Sequence, residues 1–413
     1  MMDSRQPWLC AALLAIAAGL GGCSVYPKIV CPPCVTPALG RVQDGHVEID
    51  VMYATDRNFV EGGGIGEGAR RAVLAPRLFG IDRSDSLKLG SCMVTIPAAH
   101  CRGATETPGL FQPPNKSKHV TLADIAEPFR TEEDFMVALR MRVNPPGEKK
   151  KPILVYVPGF ATTFEDAAII TGQIAHDVAF DGVPILYSWP TRGSLLSYLV
   201  DSVNAEWSTG FLIRFLDKLV EESGAEQIHI IAFSMGSRVA TNGIKNYLAQ
   251  RALRECETNG ANGAKAVAAS RDEHAGKISA DRTDEPPFGQ IILAAADMDA
   301  QIFERDYAPY LAKAAKRVTV YVSSADWALG GAQRLHLYSR LGQSPLSRVD
   351  LQLLLNRIDV VDATEVDHDF FGHFYYAECP AVLEDIQRVL QGYDAEGPER
   401  GLQRQFFYRF VGE

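Results

Sequence analysis

The sequence predicts an α/β protein built on a doubly wound, mostly parallel sheet, with helices on both faces and a strand-rich extension on its N-terminal side. Short β-branched runs recur without strict alternation, at Ile153 to Val157, Val183 to Ser188, Ile228 to Ala232, Gln290 to Ala295, Val318 to Ser323 and Ile358 to Val361. Runs that are apolar at nearly every position suit strands covered on both faces. Helical stretches lie between most of them, at Glu165 to Phe180, Leu195 to Glu222, Ser237 to Arg254 and Ile302 to Ala315, and Pro380 to Leu390 closes the series. Strand and helix in alternation build a parallel sheet whose ligands bind beyond the carboxyl ends of the strands. The length, 413 residues, suits one large domain with an appended N-terminal segment.

Residues 1 to 22 read as a signal peptide, with Arg5 ahead of an apolar stretch from Trp8 through Leu20 that is short for a membrane span. Leu20-Gly21-Gly22-Cys23 resembles a lipobox, the cleavage and lipidation site of bacterial lipoproteins. That resemblance implies a lipidated Cys23 as the first mature residue, anchoring the chain to the membrane. By resemblance to sorted lipoproteins, Ser24 after the cysteine, with no aspartate there, implies the outer membrane rather than the inner. An uncleaved anchor and an ordinary secretory signal are the competing readings. Residues 23 to 45, with Pro27, Pro32, Pro33 and Pro37, read as an extended tether.

An exported setting permits disulfides. Of the eight cysteines, Cys31 and Cys34 form a C-x-x-C in the tether, read as a local disulfide or free thiols. Cys92 and Cys101 flank a strand-like Met93 to Ile96 and a turn at Pro97, which makes a loop-closing disulfide their candidate role; Cys256 and Cys379 stay unassigned. Neither paired C-x-x-C motifs nor histidines at zinc-site spacing occur, so no metal and no cofactor is expected.

The globular domain is expected over residues 46 to 393. Val47 to Ala54 and Leu87 to Ile96 read as strands, and Gly62 through Gly68 as a loop rather than a phosphate cradle, because no lysine follows. Thr131 to Arg142 is helical in pattern, and Asn144-Pro145-Pro146-Gly147 marks a boundary. Glu255 to Pro287 carries scarcely any large apolar residue and reads as an exposed, partly disordered insertion, with a substrate lid as the alternative. In the tail, residues 394 to 413, Phe406-Phe407-Tyr408-Arg409-Phe410 reads as a last packed strand, with contact to a membrane or a partner as the alternative. The formal net charge of −10, with no basic stripe among aromatics, argues against nucleic acid.

The chemistry centres on Ala232-Phe233-Ser234-Met235-Gly236, where a strand gives way to helix-forming sequence. A serine hydroxyl is a poor nucleophile unless it is held clear of its backbone beside a base and oxyanion donors, and a sharp strand-to-helix turn achieves this. Small residues two before and two after the serine, Ala232 and Gly236, permit such a turn. The acid and then the histidine should follow at later strand ends. Asp326 follows Val318 to Ser323, with Asp297 and Asp299 after Gln290 to Ala295 as alternative acids. His373 follows Ile358 to Val361, with His368 in an acidic loop as the alternative base. Phe160, after Tyr156-Val157-Pro158-Gly159, and Met235 are positioned to offer oxyanion amides.

Pro158-Gly159-Phe160 with Phe164-Glu165-Asp166-Ala167, Tyr187-Ser188-Trp189-Pro190-Thr191-Arg192-Gly193, the Ser234 pentapeptide, Ala294 to Asp299 and Tyr321 to Leu329 together resemble a bacterial α/β-hydrolase family of largely unassigned function. Its members are esterase- or lipase-like, and some are lipoproteins. The likeness runs from about Val47 to Leu390 and implies the α/β-hydrolase fold with a triad on Ser234, Asp326 and His373. Two positions depart from the family's pattern: Pro158 stands where a histidine is usual before the glycine, and Phe233 where a histidine is usual before the serine. An apolar Phe233 beside Phe160 would suit an acyl or aromatic substrate group. The expected function is a lipid-anchored envelope serine hydrolase, a carboxylesterase acting on a small-molecule ester or acyl substrate. The alternative is an inactive hydrolase-fold binding or scaffold protein of the envelope.

Overall fold

The structure, a computed structural model, describes residues 42–60, 78–109, 112–192, 194–269, 285–343, 358–364, 372–400, 402–404 and 408–410. Cys23, Cys31, Cys34, the stretch from Gly62 through Gly68 and His368 lie outside them.

The described strands are β1 (Val42–Gln43), β2 (His46–Phe59), β3 (Phe79–Pro97), β4 (Thr121–Ile125), β5 (Ile153–Val157), β6 (Val183–Ser188), β7 (Ile228–Phe233), β8 (Phe288–Ala294), β9 (Ala315–Val322), β10 (Ile358–Asp362), β11 (Leu402–Arg404) and β12 (Tyr408–Phe410). Among the described residues they form one sheet in the order β11-β12-β10-β9-β8-β7-β5-β6-β2-β3-β4, with β1 beside β2. Every pairing from β2 through β6, β5, β7, β8, β9 and β10 to β12 is parallel. β1, β3, β4 and β11 join antiparallel. The winding reverses at β5, whose neighbours are β6 and β7, so the carboxyl ends of β5 and β7 open the crevice where ligands of such sheets bind.

The described helices are α1 (Glu132–Val143), α2 (Phe164–Asp177), α3 (Tyr198–Glu222), α4 (Gly236–Ala269), α5 (Ala300–Asp306), α6 (Ala308–Ala314), α7 (Trp327–His336), α8 (Tyr375–Glu378) and α9 (Pro380–Leu390). Alternate residues of β5 explain why its sequence is apolar throughout. Val155 packs with Leu139 of α1, Leu216 of α3 and Val239 of α4 on one face, while Leu154 and Tyr156 pack with Ala167 of α2 and Ile386 of α9 on the other. Local signals start the helices: Thr131 forms a capping box with Asp134 ahead of α1, and Thr163 Oγ accepts from the Asp166 amide at 3.1 Å ahead of α2.

The structure departs from the sequence reading in four places. β2 and β3 extend well past Ala54 and before Leu87, because hydrogen bonding continues across register shifts at Thr55, Arg57 and Phe59, where charged residues hide the strand pattern. The predicted helix Ile302 to Ala315 is two helices, broken at Tyr307, where Pro309 in the first turn of α6 cannot donate to a continuous ladder. The helix expected to end at Arg254 runs on to Ala269, into the first part of the stretch Glu255 to Pro287, where its alanines are good helix formers. Cys92 and Cys101 are not joined. Cys92 is buried in β3 within the apolar core beside Val94 and Ile96, whereas Cys101 lies in the loop beyond Pro97.

His229 gives the fold an acid-sensitive point. It is buried in β7, and its Nδ1 accepts the Gln290 amide at 3.1 Å, which requires the neutral ring. Burial, then the positive charge of Lys316, lowers its pKa to about 4 from 6.5. The unfolded chain therefore takes up a proton that the folded chain refuses. This contribution is present above pH 6.5 and is lost as pH falls toward 4, on the order of 3 kcal/mol. Denaturant midpoints are expected to fall over that window in the wild type and to fall less in His229→Asn; equal slopes would refute the assignment.

Candidate active site

Ser234 sits at φ 49, in the left-handed region, directly between β7 and α4. A non-glycine residue there costs about 1–2 kcal/mol and is held only where the surroundings fix it. Here the Ser234 amide donates to the Ala294 carbonyl at 3.0 Å, and the Ser234 carbonyl accepts from the amides of Asp297 and Ser237, both at 3.1 Å. Gly236 explains the small residue after the serine: a Cβ on it would overlap the Val157 and Pro158 carbonyls. The elbow thus nests against the end of β5.

Asp326 and His373 arrive from the next strand ends. Asp326 caps α7, with Oδ1 accepting from the Leu329 amide at 2.8 Å. Its Oδ2 lies 2.7 Å from His373 Nδ1, and His373 Nε2 lies 3.1 Å from Ser234 Oγ. A carboxylate only accepts, so this pairing puts a proton on Nδ1 and leaves Nε2 to accept from the serine hydroxyl. All three residues are buried. Such a chain can abstract a proton from Ser234 and stabilise the imidazolium that results.

Phe233 packs against the histidine and the aromatic residues that follow it. Its ring lies 4.8 Å from His373, 5.2 Å from Phe374 and 4.3 Å from Tyr376, stacked on the last, whereas Phe160 packs edge-on to Tyr198 at 5.3 Å. The expected pairing of Phe233 with Phe160 gives way to a wall that holds the imidazole ring.

The turn after β5 is fixed by residues that sequence reasoning missed. Trp189 Nε1 donates to the Pro158 carbonyl at 2.8 Å, and Asp201 accepts from the Ala161 amide at 3.4 Å. Arg57, buried at the end of β2, donates through Nη2 to the Thr162 carbonyl at 2.7 Å and through Nε to Ser188 Oγ at 2.8 Å. A Cβ on Gly159 would stand 3.0 Å from Ser234 Cβ, so the turn that leads into Phe160 lies directly against the elbow. No local pattern marks Arg57, which lies more than 100 residues from the turn it holds. Trp189 stands in the block Tyr187 to Gly193, whose sequence does not mark this role.

The alternative acids are engaged elsewhere. Asp297 is buried, with Oδ1 2.8 Å from Arg340 Nε and Oδ2 2.9 Å from Arg238 Nη2 and 2.6 Å from the Tyr198 hydroxyl. Burial alone would raise its pKa, but the charges of Arg238 and Arg340, with the Tyr198 hydroxyl, hold it below the usual carboxylate range. A cavity of about 450 Å³ opens beside this network, lined in part by Arg238, Met298, Tyr307 and Arg340. Asp299 caps α5, accepting from the Gln301 and Ile302 amides at 2.9 and 3.0 Å.

Residues 137–391 match the sequence model of a family described as "Alpha/beta hydrolase of unknown function (DUF900)". The matched stretch contains the Phe160 turn, Ser234, Asp326 and His373. No curated protein matches the chain.

Proposed function

The chain belongs to this α/β-hydrolase family of unknown function, and on that premise we propose that it is a serine hydrolase of the cell envelope, a carboxylesterase anchored by lipid on Cys23. The observation that carries the reading is the continuous hydrogen-bonded line from Ser234 Oγ through His373 to Asp326, at 3.1 and 2.7 Å. His373 Nε2 takes the hydroxyl proton as Ser234 Oγ attacks the ester carbonyl carbon. The Phe160 and Met235 amides receive the developing oxyanion, where one well-aimed donor is worth roughly 3–4 kcal/mol of barrier. His373 returns the proton to the leaving alkoxide, and water, activated by the same ring, cleaves the acyl-enzyme. The lipobox-like Leu20-Gly21-Gly22-Cys23 supports the anchoring.

The test uses purified protein, a fluorophosphonate probe and a short-chain nitrophenyl ester. Labelling and turnover are expected in the wild type and absent in Ser234→Ala. A folded wild type inert to both reagents would instead favour a scaffold that keeps only the fold. In cells, Cys23→Ala is expected to move the protein from the membrane fraction to the soluble one; unchanged membrane association would refute anchoring through that residue.

A further inference from the structure

Away from Ser234, two histidines and an aspartate converge in the interior. His100 lies in the loop after β3, and His176 and Asp177 end α2; all three are buried, and their ligand atoms lie within 4.8 Å of one another. Asp177 Oδ1 is 2.7 Å from His100 Nε2 and 3.4 Å from His176 Nδ1. Around a tetrahedral zinc with bonds of about 2.0–2.1 Å, ligand atoms stand roughly 3.3 Å apart. The second spacing already has that size. The first is a proton-bridged distance that opens by about half an ångström when a metal replaces the proton.

The surroundings match a metal site beyond its ligands. His100 Nδ1 is 2.6 Å from Glu106 Oε2, the carboxylate partner that orients ligating imidazoles and raises their basicity. The other oxygen of Asp177 accepts from the Gly103 amide at 2.9 Å, which fixes the carboxylate's orientation. Two carboxylates thus converge on one buried imidazole, a pocket arranged for positive charge.

We propose that His100 Nε2, His176 Nδ1 and Asp177 Oδ1 bind a divalent transition metal of the zinc class, with Glu106 orienting His100. Binding releases the Nε2 proton of His100 and leaves a fourth position for water. The site ties the loop after β3 to the end of α2. That loop also packs on α8, the helix that follows His373: a Cβ on Gly103 would overlap the Glu378 carbonyl, and Gln173 of α2 donates to the Ala377 carbonyl at 3.4 Å. The metal therefore braces the segment carrying His373 rather than taking part at Ser234.

The experiment takes tag-free full-length protein stripped with chelator and titrates it with Zn²⁺, and separately with Co²⁺ for its visible absorption. One equivalent is expected to bind, raising the thermal midpoint. His176→Ala leaves the His100, Asp177 and Glu106 contacts in place and is expected to lose the bound equivalent and the thermal shift. Glu106→Gln is expected to weaken binding by about 10- to 100-fold. A wild type that binds no stoichiometric metal, or an equivalent retained undiminished in His176→Ala, overturns the proposal; the cluster is then a proton-bridged clamp.

Discussion

Asp326→Asn is expected to lower kcat on a nitrophenyl ester by about four orders of magnitude while leaving the fold and KM nearly unchanged. The two oxygens of Asp326 have different partners. Oδ1 caps α7 through the Leu329 amide, and an asparagine carbonyl oxygen accepts that bond equally well, so the helix keeps its start. Oδ2 faces His373 Nδ1 at 2.7 Å. An amide nitrogen there donates, which drives the proton from Nδ1 to Nε2 and turns the base away from Ser234 Oγ. The imidazolium also loses its counter-charge. Thermal midpoint, circular dichroism and ester kinetics on one preparation give the answer. Full turnover in a folded Asp326→Asn would remove this carboxylate from the mechanism.

Asp297→Ala is expected to act on stability instead, costing about 3 kcal/mol because it strands the buried Arg340 guanidinium and takes a carboxylate from the partly buried Arg238. Arg340 is buried and spends Nε on Asp297, and Arg238 is held by the Asp297 carboxylate, the Asp297 carbonyl and the Tyr198 hydroxyl. The effect reaches the elbow through the backbone, since the Asp297 amide donates to the Ser234 carbonyl at 3.1 Å. Asp297→Asn keeps volume and some hydrogen bonding and is expected to retain turnover within about tenfold once folded. Denaturant titration of both variants beside Asp326→Asn discriminates the two acids. Loss of turnover in a stable Asp297→Asn would transfer the acid's role to Asp297.

The doubly wound sheet was readable because its causes are local. Leu154 and Val155 must each meet a helix, so β5 is apolar at every position, and Thr131 and Thr163 announce their helices within four residues. Ser234, Asp326 and His373 could be picked out together because parallel strands deliver their following residues to one edge, which makes order along the chain a proxy for proximity. The structure brings those three within hydrogen-bonding reach. The choice of Asp326 over Asp297 was less legible. Both follow strands, and only the positions of Arg238 and Arg340 show that Asp297 is already neutralised. The extended β2–β3 hairpin was missed because ladder hydrogen bonds, rather than side-chain periodicity, carry it through Arg57 and Arg83.

Alone, then, the sequence determined the alternation of elements, the elbow at Ser234 and the order of the residues facing it, all properties of short windows and chain direction. Tertiary structure alone decided that Arg57 and Trp189 hold the turn beside Ser234, that Phe233 backs His373, and that His100 meets His176 and Asp177 across more than 70 residues. The physical reason is that a buried charge or ring is tolerated only where a partner satisfies it, and that partner is chosen by packing in space, which leaves no period along the chain.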